Sequence, residues 1–299
     1  MDDIKPVADC VAILQEPAST VKDKYSVLFH LRTRNNDEAV QALIANYHTM
    51  DGSELLQHEV MYILGQMGNP AAIDFLIAIL NDEKEAPVVR HEAGEALANY
   101  PGSAERILPE LEKFIDSDIS VVRSTVRIAI GKLENYSKDN NYQKYLEANI
   151  EPAEPFSPEQ LKAYLDGQEI TQERLLEVLL STEVDEFIKY RVIYYLRNQG
   201  TEGSVRTLAA LLLSSNRQLV SPLMRHELCF IIGQLQNKAD YEFVKQTLMA
   251  LIKDLSEDAI VRHEAVLSYN DLWGNEEFID IVKNDKEKLV AESVEIILE

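Results

Sequence analysis

Four of the six histidines in this 299-residue chain are followed at once by glutamate: His58-Glu59, His91-Glu92, His226-Glu227 and His263-Glu264. Glutamate fills 32 of the 299 positions, so chance would place it after any one histidine about one time in nine. Imidazole and carboxylate without a thiolate make a ligand set for iron, manganese or zinc. Two histidines and one carboxylate form a facial triad that leaves positions open on the metal, as in oxygen-activating non-haem iron sites. Four pairs supply two such triads, with two glutamates left over to orient water or meet a cationic group. One His-Glu pair on a helix is ordinarily a solvated surface pair. Four at matched positions point instead to a metal site.

The matching comes from an internal duplication. HEVMYILGQMGN (58–69) lies over HELCFIIGQLQN (226–237) with six of twelve residues identical, at an offset of 168. KYSVLFHLR (24–32) lies over KYRVIYYLR (189–197), VVRHEAGEAL (88–97) over IVRHEAVLSY (260–269), and VRSTVRIAI (122–130) over AESVEIILE (291–299), all in the same order. Within each half, helix starts recur every 30–37 residues as paired apolar segments, such as Val60–Met67 and Ala72–Leu80 divided by Asn69-Pro70. Ile73, Leu76, Ile77 and Leu80 carry the i, i+3, i+4 spacing of a helix. Two helices per 30–40 residues is the signature of a HEAT-like array. The expected fold is therefore all-α, a HEAT-repeat superhelical solenoid of about eight helical hairpins in two pseudo-symmetric halves. Residues 1–136 form the first half, 137–160 a proline-containing linker and 161–299 the second half, with a helix start at Ser157-Pro158-Glu159.

In such an array matched positions of neighbouring repeats stack on one face. That predicts His58 beside His91 and His226 beside His263, each pair near the start of an inner helix. If the halves face each other, all four pairs converge. The remaining residues carry quieter expectations. His30 and His48 fall outside the pattern, and Trp273 and the tyrosines read as packing. Arg90, Arg225 and Arg262 precede three of the pairs and read as surface ion-pairing groups. Glu95 follows His91 by one helical turn, where it either supports the site or is solvated.

Composition narrows the function classes. The net charge is -22, from 51 acidic and 29 basic residues. This leaves no basic stripe for nucleic acid; the acidic excess reads either as a solubilising surface or as a field that steers a cationic partner. Two cysteines, Cys10 and Cys229, are too few for a disulfide scaffold and fit a reducing compartment. No segment reads as a secretory signal or a membrane span, so a cytoplasmic protein, acting as a monomer, is expected.

These motifs, Leu55-Leu56-Gln57-His58-Glu59 running into Leu64-Gly65-Gln66, Val89-Arg90-His91-Glu92-Ala93-Gly94-Glu95-Ala96-Leu97, Arg225-His226-Glu227 and Val261-Arg262-His263-Glu264, resemble deoxyhypusine hydroxylase over nearly the whole chain. The resemblance implies a HEAT-repeat di-iron monooxygenase that uses O₂ to convert the deoxyhypusine side chain of translation initiation factor 5A to hypusine. It implies that His58, His91 and Glu92 hold one iron and His226, His263 and Glu264 the other. Glu59 and Glu227 would then meet the substrate's amines. The fourth pair departs from the family pattern. Leu267 stands where the first half has Glu95, and His226 to His263 spans 37 residues against 33 from His58 to His91. The extra residues are expected near Ala250–Asp258. The rival readings are a non-catalytic HEAT scaffold, a HEAT-repeat bilin lyase, and a di-zinc or di-manganese hydrolase in the same cage.

Overall fold

A computed structural model describes residues 4–138, 151–216, 219–235, 241–274 and 277–298. Among the described residues every regular element is helical. The chain divides into two compact units, Met1–Pro152 and Ala153–Glu299. Unit 1 contains α1 (Val7–Gln15), α2 (Val21–Arg34), α3 (Asp37–Ala45), α4 (Glu54–Met67), α5 (Ile73–Asn81), α6 (Pro87–Leu97), α7 (Ala104–Glu112) and α8 (Ser120–Lys138). Unit 2 contains α9 (Pro158–Tyr164), α10 (Gln172–Leu180), α11 (Glu186–Gln199), α12 (Glu202–Leu212), α13 (Pro222–Gly233), α14 (Glu242–Lys253), α15 (Ala259–Trp273), α16 (Ile279–Val282) and α17 (Lys288–Ile297). Of the expected linker, 139–150 lie outside the described residues. The predicted helix start at Ser157 is present, with Ser157 and Gln160 closing a capping box ahead of Pro158.

Each unit is a two-layer stack of hairpins. In unit 1 the even helices α2, α4, α6 and α8 pack side by side, and each odd helix leans against its hairpin partner. In unit 2 the row is α11, α13, α15 and α17. The middle helices of each row, α4 and α6 and α13 and α15, have row neighbours on both flanks. In α4 every residue from Leu55 to Met61 is therefore buried, polar ones included.

Local chemistry sets where these helices begin. Ser53 caps α4 by accepting the Leu56 N–H, Ser221 caps α13 through Met224, and Asp258 caps α15 through Ile260. Pro87 and Pro222 occupy first helical positions that have no N–H partner to lose. As a result His58, His91, His226 and His263 are each the fifth residue of their helix.

Two matched glycines decide how closely the row helices approach. A Cβ on Gly65 would lie 2.8 Å from the Ala96 Cβ and 2.9 Å from its Cα. On Gly233 it would lie 2.9 Å from the Ser268 Cβ. Each glycine follows the histidine of its helix by seven residues, two turns along the same face.

Two expectations are corrected here. Arg90, Arg225 and Arg262 are not surface groups but 1–3% exposed. Each reaches back to a carbonyl at or just past the end of the preceding outer helix: Arg90 Nε to Leu80 O at 3.0 Å, Arg225 Nη1 to Ser214 O at 3.1 Å, and Arg262 Nη2 to Ile252 O at 3.2 Å. Leu80 and Ile252 lie in last helical turns, whose carbonyls the helix leaves open. Arg225 and Arg262 also pair with buried Glu257 and Asp285. The extra residues of the fourth repeat are likewise not near Ala250–Asp258. Ten residues lead from Asn81 to His91 and ten from Lys253 to His263, so the added length falls before the end of α14.

Candidate metal centre

The eight residues of the four pairs are only 1–9% exposed, which excludes solvated surface pairs. In unit 1, α4 and α6 bring three of them together. Glu92 Oε2 lies 3.0 Å from His58 Nε2 and 3.4 Å from His91 Nε2, and the two rings are 6.1 Å apart. In unit 2, α13 and α15 repeat the arrangement. Glu264 Oε2 lies 3.6 Å from His226 Nε2 and 4.0 Å from His263 Nε2, and the rings stack at 5.5 Å. In each triad one ligand atom from every residue falls within 4.8 Å of the others. Two imidazole nitrogens and one carboxylate oxygen converging at this separation fit a first-row divalent metal with open positions.

The histidines are oriented from behind. Thr125 Oγ1 of α8 lies 2.7 Å from His91 Nδ1, and Ser293 Oγ of α17 lies 3.3 Å from His263 Nδ1. A partner on Nδ1 fixes the ring so that Nε2 faces the cluster. Thr125 and Ser293 both lie within the duplicated segments 122–130 and 291–299, one residue out of register with each other, and nothing in their type marked them as histidine partners.

The second cluster has further support that the sequence did not reveal. Ser268 Oγ lies 3.2 Å from Glu264 Oε1 and 2.8 Å from the Cys229 carbonyl. The matched residue of unit 1 is Ala96. Tyr194, read from the sequence as packing, is fully buried and donates its phenol to Glu227 Oε1. Its counterpart is Phe29. Leu267 therefore leaves no gap in the support of Glu264. Glu95 turns out to act on Lys132, the buried ammonium whose charge it helps to stabilise. His48 is exposed beside Asp51, and His30 accepts a bond from the Lys5 backbone, so neither joins a cluster.

Electrostatics follow from burial. Burial pushes the Glu59 carboxyl up to about 7, with Glu92 adding to the shift and His58 and Arg32 opposing it. Burial would lower His58, but Glu92 and Glu59 outweigh it and the net direction is upward. In the metal-free chain His58 is thus a proton-holding partner of Glu92. The Cys229 thiol, beside the second cluster in sequence, is driven well above its ordinary value by burial. It is not among the residues that converge on either cluster.

Comparison with known proteins agrees with this architecture. The family described as HEAT repeats matches residues 10–98 and, in a shifted register, 40–131. Deoxyhypusine hydroxylase of Danio rerio is 31% identical over 99% of this chain and 91% of its own length. That of Neurospora crassa is 35% identical over 91% and 84%. The structure of human deoxyhypusine hydroxylase in complex with glycerol superposes with a TM-score of 0.81 at 29% identity, covering 97% of this chain and 94% of that one. With buried His-Glu clusters repeated in two stacks of HEAT hairpins and relatives of this identity along nearly its full length, the chain belongs to the deoxyhypusine hydroxylase family.

Proposed function

We propose that this chain hydroxylates the deoxyhypusine side chain of translation initiation factor 5A, consuming O₂ at two irons. His58, His91 and Glu92 hold one iron, and His226, His263 and Glu264 hold the other. The observation that carries this reading is the repeated convergence of two Nε2 atoms and one carboxylate oxygen, all within 4.8 Å, in a buried setting. Iron, when bound, would activate O₂, the oxidant that insertion into an unactivated C–H bond requires.

The protein's own residues bind and orient. Glu59 and Glu227 accept the ammonium groups of the substrate. Low exposure makes those charge-assisted bonds strong. Tyr194 holds one oxygen of Glu227 in place. The two buried free thiols, Cys10 and Cys229, suit a reducing compartment such as the cytoplasm. No helix among the described residues is long and apolar enough to cross a membrane.

The test is to load the full chain with Fe(II) anaerobically, add deoxyhypusine-bearing factor and O₂, and measure the substrate's mass. A gain of one oxygen is expected. No gain, with two irons bound per chain, sinks the substrate assignment. Activity with zinc in the absence of O₂ sinks the oxygenase chemistry.

A further inference from the structure

Beside the second cluster α13 and α15 flank an open cleft of about 510 Å³, lined by Phe230, Gln234, Glu264, Ser268, Asp271 and Leu272 together with Gly233; Gln234 and Asp271 are exposed at its mouth. This volume is in the range of small-molecule sites. Glu264, Ser268 and Asp271 stand at i, i+4 and i+7, so they form one face of α15. Two turns separate the metal-cluster carboxylate from Asp271, roughly 10 Å along the axis. Phe230 and Leu272 supply apolar wall. No basic side chain lines the cavity among the described residues. Arg197 approaches only as far as Gln234, at 3.4 Å, and is not itself a lining residue.

The duplication gives Asp271 a sequence counterpart whose partner is known. Its unit 1 counterpart is Asn99, and Asn99 Oδ1 accepts the ammonium of Lys132 at 2.5 Å. That ammonium is 1% exposed and also donates to the Glu151 carbonyl at 2.6 Å. Unit 1 thus carries an internal alkylammonium at this point. Unit 2 has a carboxylate at the matching sequence position, exposed beside an open cleft. We propose that the cavity between α13 and α15 is a binding site for a primary alkylammonium, with Asp271 as its counterion and Phe230 and Leu272 against its methylene chain. The aminobutyl end of deoxyhypusine has this chemistry, and so does a free polyamine. The first source rests on the function proposed above; the site itself does not.

The experiment measures binding of 1,4-diaminobutane to the full-length protein by calorimetry at physiological salt, with and without Asp271→Asn. This variant installs the residue that unit 1 already tolerates. Binding is expected to weaken about tenfold, the loss of one charge-assisted bond, while 1-butanol shows no binding to either protein. Asp280→Asn, an exposed carboxylate on α16 paired with Lys283, controls for the general acidic field and leaves binding unchanged. Equal affinity in D271N and wild type, or equal weakening in D271N and D280N, overturns the proposal. Leu272→Trp, which fills the cavity without altering charge, is a second route to the same loss should D271N unfold. A rise in KM for the deoxyhypusine-bearing factor in D271N, with kcat held, assigns the site to the substrate's tail. Weakened diamine binding with KM unchanged assigns it to a free polyamine. Diamine binding is read without turnover, so an inactive wild-type enzyme would count against the proposed function and leave this site measurable.

Discussion

At the residue scale the clusters depend on hydroxyls that touch no metal. Thr125 and Ser293 each hold the Nδ1 of one histidine, and losing such a partner typically costs ten- to hundredfold in metal affinity. Thr125→Val is expected to weaken the first cluster by about that factor and leave the second unchanged. Ser293→Ala should do the reverse, as read by competition with a chelator. The pH behaviour of the metal-free chain has a defined sign. Glu59 titrates near 7 when folded against an ordinary 4.5, so the folded chain holds a proton that the unfolded chain has lost. That contribution is complete below about 4.5 and disappears as pH rises through about 7. His58 is also raised, and its contribution disappears above the ordinary histidine range. Metal-free protein should therefore lose stability between pH 5 and 8, and Glu59→Gln should remove roughly 3 kcal/mol of that loss in denaturant titrations. An identical pH slope in E59Q would refute the assignment. Metal binding runs the other way, since it requires deprotonated ligands and strengthens as pH rises.

At the scale of elements, the geometry of each cluster is the geometry of two adjacent row helices. Caps place the histidine at the fifth residue, and a glycine two turns later lets the backbones close. Gly65→Ala would set a methyl against Ala96 at 2.8 Å, which is overpacking worth roughly 1–3 kcal/mol. It should also lower metal affinity at the first cluster alone, because α4 must move away from α6. Gly68→Ala is the contrasting case. Gly68 ends α4 at φ 59° with nothing within 4 Å of an added Cβ, so only the left-handed backbone penalty of roughly 1–2 kcal/mol applies, and metal affinity should not change. Denaturation and metal titration of both variants separate the two mechanisms.

At the scale of the whole molecule, the net charge of -22 acts on encounter. A field of one sign accelerates association with a partner of the opposite sign and is screened within a Debye length of about 8 Å at physiological salt. For a basic protein substrate the association rate should fall about tenfold or more between 0.02 and 0.3 M salt. Dissociation should change far less. Stopped-flow measurement across that range tests this, and a salt-independent association rate would remove any role for the acidic surface in recruitment.

The sequence alone determined the all-helical repeat, the duplication, and the grouping of His58 with His91 and of His226 with His263. All of these follow from periodicity and from the rule that matched positions in stacked repeats become neighbours. Through the resemblance it also named Glu92 and Glu264 as expected metal ligands. Tertiary structure decided what periodicity does not encode. Arg90, Arg225 and Arg262 are indistinguishable from surface arginines until the carbonyls they reach are located in space. Thr125, Ser293, Ser268 and Tyr194 are ordinary helix residues until packing brings them from another helix, or another turn, onto a histidine or a carboxylate. The contrast between Asn99 with its lysine and Asp271 beside a cavity is invisible in either segment by itself. It arises from contacts between residues roughly 30 positions apart, whose approach depends on helix packing rather than on the chemistry of neighbours in the chain.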